Sequence, residues 1–270
     1  EVDLSSFYTS KVTNMLLMFN NGHKLIQLDL SNFDTSNVTS MYTMFCSCSD
    51  LEKINLSSFN TGKVTNMAYM FQSCSKLTQL DLSKWNTSKV TTLFGTFQGC
   101  SSIKKLDLND WNTSNVGQMQ SVFNGCTELT KLNLKNWNTS NVTNMVRMFD
   151  GCKKLSEIDV SSFDTSKVNN MCAMFQLCKE LTKVDLSKFN TENVTNMQGM
   201  FKDCNSLTKL DVSNFNTSNV TNMSSMFNNC SSLTELDLSK WNTSKVTTLL
   251  SSFVRCSSIK TIDLNNWDVS

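Results

Sequence analysis

The pattern of apolar and polar positions along this chain repeats from one end to the other, with a period of 26 residues. One phenylalanine in each copy marks this period: Phe19, Phe45, Phe71, Phe97, Phe123, Phe149, Phe175, Phe201, Phe227 and Phe253. The aligned copies give L-x-x-L-[DN]-[LV]-S-x-[FW]-[DN]-T-S-x-V-T-x-M-x-x-M-F-x-x-C. A fixed period of roughly 20 to 50 residues is typical of a stacked solenoid. The pattern therefore predicts one elongated domain rather than several compact ones.

The first half of each copy predicts a short strand. Leu28 and Leu30 alternate with the polar residues Gln27, Asp29 and Ser31. Alternation with a period of two indicates a strand that buries one face, here over about three to five residues. Strands of successive copies, side by side at about 4.8 Å, would form a parallel sheet.

The second half of each copy predicts a helix. Val38, Met41, Phe45 and Cys48 follow at spacings of three, four and three, which places them on one stripe of a helix of roughly three turns. Residues 34–36 supply capping and turn residues before it. Residues that tolerate a left-handed backbone lie two positions after the phenylalanine, where they would end the helix. They are Asn21, Gly99, Gly125, Gly151, Asp203 and Asn229.

These elements together predict a right-handed α/β repeat solenoid with a 26-residue period, a parallel sheet on one wall and short helices on the other. Helices need about 8–10 Å between axes, more than strands do, so the stack is expected to curve with the sheet inside. The prediction covers residues 1–270 as a single solenoid domain of about ten repeats. Both ends fall within a repeat, so we expect an uncapped fragment of a longer chain, with capping units outside it.

The copies resemble a known repeat. The segments LTQLDLSKWNTSKVTTL and LSEIDVSSFDTSKVNNMCAMFQLC are similar to BspA-like leucine-rich-repeat surface proteins, most closely to the mycoplasma-type surface lipoprotein repeat of about 25 residues. The resemblance covers essentially the whole chain and implies adhesion to host proteins or matrix at a cell surface. Where an ordinary leucine-rich repeat has an asparagine ladder, this chain has an aromatic column that includes Phe33, Phe59 and Trp85.

Charge and motifs argue against several functional classes. The formal net charge is +1, which gives no bulk attraction to nucleic acid or an anionic membrane. No run of 18 apolar residues is present within these 270 residues. The chain has one histidine, His23, and lacks a P-loop, a nucleotide-binding glycine motif, an H-E-x-x-H motif and a nucleophile elbow. We therefore predict that the protein is not an enzyme.

Nine of the 11 cysteines occupy one repeat position, on the apolar stripe. This odd line of equivalent thiols predicts small, reduced core residues rather than a disulfide framework or a zinc site. Cys46 and Cys172 lie off the stripe and are expected to be more accessible. Two methionine columns, represented by Met41 and Met44, are interpreted as core filling rather than as copper ligands.

An aspartate column on the solvent side of the strands is the most informative polar feature. It begins with Asp3 and is interrupted by Asn55 and Asn133. Carboxylates stacked at about 4.8 Å repel by roughly 1 kcal/mol per neighbouring pair. Hydrogen bonds to serine and backbone groups, with lysines two residues upstream, would offset this repulsion. Calcium is the alternative, since oxygen-only ladders suit it; no other cofactor is indicated.

The ten repeated threonines, of which Thr35 is one, align at the predicted helix caps. Capping explains them better than ice binding does.

We predict an extracellular or cell-surface protein for adhesion and protein recognition, with many weak contacts along the polar strand face. Its expected partners are proteins, matrix or a host surface, without nucleic acid and without membrane insertion in this segment. The predicted binding ladder is Asp29, Lys53, Asp81, Lys105, Asp107, Asp159, Asp185, Lys209, Asp211 and Asp237. The alternative is a structural subunit of an extracellular filament or stalk, with end-to-end self-association.

Overall fold

The structure, a computed structural model, describes residue 4, residues 6–264 and residues 267–268. Within this part the β-strands are β1 (Gln27–Asp29), β2 (Lys53–Asn55), β3 (Lys105–Asp107), β4 (Lys131–Asn133), β5 (Glu157–Ile158) and β6 (Lys183–Val184). They pair in parallel as β1 with β2, β3 with β4 and β5 with β6. Each strand residue lies beside its equivalent in the next copy, as Leu28 lies beside Ile54. Successive copies therefore stack as coils of a solenoid.

We call the surface formed by residues 27–29 and their equivalents the strand face. The middle residue of each strand points inward, since Leu28 and Leu106 are 4% and 3% exposed, whereas the residues on either side are exposed. Single bridges continue the pairing beyond β6, from Lys209 to Glu235 and from Leu236 to Ile262. The predicted parallel wall is thus present as short pairs and bridges. Asp3, predicted to begin the aspartate column, lies outside the described residues.

A second backbone ladder runs along another side of the solenoid, which we call the bridge wall. One residue of each coil pairs with its equivalent in the next, from Asn14 with Ser40 to Asn222 with Thr248. Beside this bridge the N–H of Thr39 donates to the carbonyl of Thr13 at 2.8 Å, and the same bond recurs in later coils. The sequence pattern gave no sign of this ladder.

The predicted helix over residues 38–48 is not confirmed, because the described residues contain no helix. Residues 41–48 and their equivalents, which we call the turn wall, run as consecutive turns instead. The N–H groups of Met44, Cys46 and Cys48 donate to the carbonyls three residues earlier. Those of Met41, Thr43, Phe45 and Ser47 donate to the next coil at 2.7–3.0 Å. Local and inter-coil bonds therefore alternate along the wall, which a helix does not allow.

Two residues in each coil of the turn wall have a left-handed backbone. Thr43 and Ser47 have φ of 53° and 60°, and the equivalent residues of the other described coils are also positive. Side chains other than glycine disfavour this region by roughly 1–2 kcal/mol. The bonds from Thr43 to the carbonyl of Ala68 and from Ser47 to that of Gln72 offset this cost. The expected left-handed residues, such as Gly125 at φ 75°, are present, but they shape a turn rather than end a helix.

The apolar stripe predicted for the helix is still the core. Val38, Met41, Met44, Phe45 and Cys48 are all fully buried. The turn wall is held by backbone bonds between coils, as the other walls are, so it does not need the wider spacing from which curvature was predicted.

Aromatic side chains form two stacked columns in this core. In the column of Phe123, neighbouring ring centroids are 5.4–6.0 Å apart and nearly parallel. In the second column, which contains Trp85 and Trp241, the stacked neighbours lie 6.2–6.4 Å apart. The aromatic residues at the position of the asparagine ladder thus pack on one another.

The cysteine column lies against the phenylalanine column. Cys74 donates its thiol hydrogen to the carbonyl of Phe45 at 3.1 Å, and Cys100 to that of Phe71 at 3.1 Å. All 11 cysteines are free thiols. Burial raises the pKa of the Cys126 thiol to about 12, so these groups stay protonated. Cys46 and Cys172 are half-buried, as Cys256 is.

The threonines predicted to cap helices have a different role. Thr165 is 1% exposed; its hydroxyl donates to the carbonyl of Asn190 and accepts from the N–H of Asn190, both at 2.8 Å. Thr35 makes the same pair of bonds to Asn60. Each threonine therefore joins one coil to the next, and its burial removes it from any ice-binding surface.

In the second aromatic column, the backbone carbonyl 29 residues before a ring can accept a hydrogen bond from that ring's indole or from the polar side chain that precedes the ring. Trp241 donates its Nε1–H to Val212 at 3.2 Å. Where phenylalanine occupies the column, the preceding polar residue donates instead, as Ser58 does to Leu30 and Asn214 to Leu186. The Nε1–H groups of Trp85, Trp111 and Trp267 are buried and have no partner among the described residues.

This difference predicts unequal effects of one substitution at two sites with the same local sequence. Residues 80–93 and 236–249 are identical, yet Trp241 makes the indole bond and Trp85 makes none to a described residue. We expect Trp241→Phe to lower the free energy of unfolding by about 1 kcal/mol more than Trp85→Phe, because it leaves the Val212 carbonyl without this donor. Urea unfolding followed by circular dichroism measures both; equal losses would contradict the assignment.

Candidate functional site

Two columns of charged and polar side chains flank the buried row of the strand face. One column contains five lysines, together with glutamates, among them Glu157 and Glu235, and neutral residues; the lysines are Lys53, Lys105, Lys131, Lys183 and Lys209. The other contains only aspartate and asparagine. The two columns are two strand residues apart, about 6.6 Å, and run along the solenoid axis. The ten predicted binding residues all belong to these columns and are all exposed.

The middle of the strand face forms a depression of about 990 Å³. Its floor is the apolar row Leu106, Leu132, Ile158 and Val184. Leu132 and Val184 are only partly buried, so the depression offers apolar surface between the two charged columns. A second depression, of about 460 Å³, lies further along the same face over Leu210 and Leu236.

Most of the aspartates accept hydrogen bonds from the serine two residues later, whereas Asp107 accepts from the N–H of Asn109 at 3.2 Å. Ser161 donates to Asp159 Oδ1 from its N–H at 3.0 Å and from its hydroxyl at 2.6 Å. The Ser161 hydroxyl bond is the main cause that lowers the pKa of Asp159. Hydrogen bonds from Ser187 likewise lower the pKa of Asp185. These carboxylates are therefore charged at neutral pH, and the repulsion within the column is offset by local hydrogen bonds.

The lysines pair with glutamate of the adjacent coil rather than with the aspartates. Lys183 Nζ lies 3.4 Å from Glu157 Oε2, and Lys209 Nζ lies 3.0 Å from Glu235 Oε1. Both pairs are exposed and contribute little to stability. Neither Lys105 nor Lys131 forms an ion pair with a described carboxylate, which leaves two ammonium groups at one end of the depression.

The structure brings the predicted ladder together in two groups. The first depression is lined by Lys105, Asp107, Asp159 and Asp185, and the second by Lys209, Asp211 and Asp237. Asp29, Lys53 and Asp81 line neither. The prediction omitted Lys131, Glu157, Lys183 and Glu235, which share the repeat position of Lys105. Their 26-residue spacing from Lys105 was the sequence signal that would have added them to the predicted binding residues.

The described residues hold no group of three or more histidine, cysteine, aspartate or glutamate side chains placed to bind a metal ion. Within the described part of the chain, no helix is long and apolar enough to cross a membrane.

The turn wall carries one buried charge. Asp150 is 6% exposed; its Oδ2 lies 3.8 Å from Arg147 Nε, and its Oδ1 has no hydrogen-bond partner among the described residues. Equivalent positions in other coils are mostly neutral amides such as Gln72 and Asn124. Burial raises the pKa of Asp150, although Arg147 and the side-chain amides of Gln176 and Asn124 act in the opposite direction. The carboxylate is therefore poorly matched to its site.

Replacing this carboxylate by an amide should stabilise the protein. We expect Asp150→Asn to raise the free energy of unfolding at pH 7 by roughly 1 kcal/mol. The folded protein holds the Asp150 proton more tightly than the unfolded chain, so the cost of the charge is present above the raised pKa and disappears below 3.8. Thermal unfolding of both proteins across acid and neutral pH measures the difference. A less stable variant at pH 7 would mean that the attraction of Arg147 outweighs burial.

Crystal structures of leucine-rich-repeat proteins are similar to this chain and align with most of it. One from Bacteroides ovatus has 15% identity and a TM-score of 0.46, covering 95% of this chain and 78% of that one. A leucine-rich cell-surface protein from Faecalibacterium prausnitzii has 14% identity and a TM-score of 0.33, with coverages of 90% and 79%. A protein from Eubacterium ventriosum has 19% identity and a TM-score of 0.38, with coverages of 59% and 38%.

At the level of sequence, no curated protein matches the chain. A family of repeats does match, over residues 1–106, 91–209 and 180–270, which together include every coil. The resemblance to the mycoplasma-type repeat is thereby confirmed. The chain belongs to the family described as Mycoplasma protein of unknown function, DUF285.

Proposed function

We propose that this chain is a non-enzymatic recognition protein of the cell surface or extracellular space, which binds other proteins through the strand face. The observation that carries the proposal is the central depression, where an apolar floor lies between a basic and an acidic column. Interfaces are built in this way, with apolar contact at the centre and polar groups around it.

The charges suit recognition better than catalysis. The serine hydrogen bonds hold Asp159 and Asp185 in the charged form and fix their orientation. The aspartates have a similar environment from coil to coil, so none of them is set apart as a catalytic acid or a catalytic base. Lys105 and Lys131 add exposed positive charge, which speeds encounter with an acidic partner.

The experiment measures binding to immobilised fibronectin, laminin and collagen by surface plasmon resonance. A triple variant, Lys105→Gln, Lys131→Gln and Lys183→Gln, removes three charges from the depression. A matched variant, Lys63→Gln, Lys89→Gln and Lys167→Gln, removes three exposed charges elsewhere. We expect the first variant to weaken binding about tenfold and the second to change it less than twofold.

Equal binding by the two variants, or no binding of the unchanged protein to these matrix proteins, would overturn the proposal. Sedimentation of the same samples tests the filament alternative, which requires association that grows with protein concentration. A monomer that binds matrix through the depression would support recognition and exclude the filament.

A further inference from the structure

The outward positions of the turn wall differ from coil to coil, unlike those of the strand face. The positions equivalent to Tyr42 hold eight residue types: leucine, tyrosine, alanine, phenylalanine, glutamine, valine, cysteine and serine. The aspartate column of the strand face holds two. Since the backbone is the same in each coil, stacking does not dictate these turn-wall side chains. They are free to form a local surface of their own.

One part of this wall gathers aromatic rings. Tyr69 lies between Tyr42, at a centroid distance of 6.1 Å, and Phe94, at 4.7 Å. The next coil makes room for the Tyr69 ring with Gly95, where a Cβ would come within 2.5 Å of Tyr69 Cδ1. All three rings are half-buried and keep part of their surface in solvent. The hydroxyls of Tyr42 and Tyr69 have no hydrogen-bond partner among the described residues.

A row of polar side chains runs beside the rings. Cys46 donates its thiol hydrogen to Gln72 Oε1 at 3.3 Å, and Gln72 Nε2 donates to Gln98 Oε1 at 3.3 Å. The Nε2 of Gln98 donates to no described residue. This chain of bonds orients the two amides and leaves a donor at its end. The amides and the tyrosine hydroxyls together place donors and acceptors around an aromatic centre.

The same surface carries no charge. From Tyr42 to Gly125, each outward position of the turn wall, equivalent to 42, 43, 46 or 47, is uncharged. Charges appear only at the border, where Lys76 Nζ and Asp50 Oδ1 pair with each other at 2.8 Å. Further along the wall, Arg147 and Asp150 end the neutral region. A charged ligand would find no counter-charge here.

We propose that Tyr42, Tyr69 and Phe94, with Gln72 and Gln98, form a binding site for a neutral glycan. The faces of aromatic rings carry negative potential that attracts the C–H groups of a pyranose ring. Sugar hydroxyls are both donors and acceptors, which matches the amides and the tyrosine hydroxyls. Three coils span about 10 Å, a length that suits a disaccharide unit. This site lies on a different wall from the strand face and goes beyond the protein recognition proposed for it.

The chain itself provides substitutions that the fold accepts. Ala173 occupies the position equivalent to Tyr69, also at positive φ, and Ala68 occupies that of Phe94. The double variant Tyr69→Ala and Phe94→Ala therefore removes both rings and introduces only a residue that other coils already have at those positions. Gln198→Ala, on the same wall outside the patch, is the matched control.

The test uses a glycan array of neutral and sialylated oligosaccharides, followed by saturation-transfer NMR with maltose, lactose and diacetylchitobiose. We expect binding to neutral glycans only, lowered at least roughly tenfold in the double variant and unchanged in Gln198→Ala. Tyr69→Phe, which keeps the ring, should retain most of the binding.

Absence of binding to every neutral glycan, or equal binding by the double variant, would overturn the proposal. Preferred binding of sialylated glycans would contradict the proposal of a neutral ligand. Binding of matrix proteins that is lost in the double variant would show that the ligand of this site is a protein and not a glycan. The strand-face lysine variant should bind glycans normally, which separates this test from that of the proposed function.

Discussion

Phe123→Ala is expected to lower the free energy of unfolding by about 3–5 kcal/mol. Phe123 is fully buried, stacks between Phe97 at 5.8 Å and Phe149 at 5.7 Å, and contacts Trp137 at 6.0 Å. The lost ring leaves a cavity that a backbone bonded from coil to coil closes poorly. Since each coil contacts only its neighbours, the two sides of the gap are also expected to unfold less cooperatively. Urea unfolding followed by circular dichroism reports both effects.

Phe253→Ala is the matched control for this prediction. Phe253 belongs to the same column, but within it stacks on Phe227 alone, and it is only partly buried. A smaller loss is expected there. A loss below about 1 kcal/mol for Phe123→Ala would show that the coils collapse into the cavity, contrary to the rigid stacking described above.

Thr165→Val is expected to have the second-largest effect, about 2 kcal/mol. Valine has nearly the shape of threonine, so the substitution removes the hydroxyl and little packing. The N–H and carbonyl of Asn190 both lose their bonds to Thr165 Oγ1. Thermal and urea unfolding of Thr165→Val and Thr165→Ser measure the effect, and serine should restore most of the stability because it keeps the hydroxyl.

Thr143→Val provides the control, since Thr143 is exposed on the bridge wall and its hydroxyl makes no bond to a described residue. We expect a change within about 0.5 kcal/mol. If both valine variants lost the same stability, the effect would reflect β-branched side chains on this backbone and not the inter-coil bonds.

The sequence specified which residues are buried better than it specified the backbone that carries them. Val38, Met41, Phe45 and Cys48 all face the core as predicted. Spacings of three and four fit a helix, but consecutive turns produce them as well. A helix and a series of turns differ in the acceptor of the Phe45 N–H, which here is the carbonyl of Met70 in the next coil. A pattern read within one copy contains no information on bonds between copies.

One sequence signal did favour turns over a helix. Gly95 and Gly199 fall in the middle of the predicted helices, where glycine is costly, and both have positive φ. Four residues after Gly95, Gly99 is also left-handed. Two such columns four residues apart indicate repeated turns.

The candidate site was predicted in composition but not in shape. Alternation alone placed Asp159 and Lys105 on the outer side of the strands, and the serine two residues after Asp159 fits the bond it makes. The depression depends on the way neighbouring coils sit together over Leu132 and Val184, which a repeat pattern does not give. Neither the lysine pairing with Glu157 nor the aromatic patch around Tyr69 follows from a consensus, because both arise where copies differ.

The backbone bonds between coils on all three walls have a mechanical consequence. They run along the stacking direction, so tension applied along the axis acts on every coil boundary alike, and the boundaries are expected to give way one at a time. Each coil that detaches releases 26 residues, or about 9 nm of extended chain. A solenoid of this kind is expected to lengthen in equal steps under load and to rewind when the load falls.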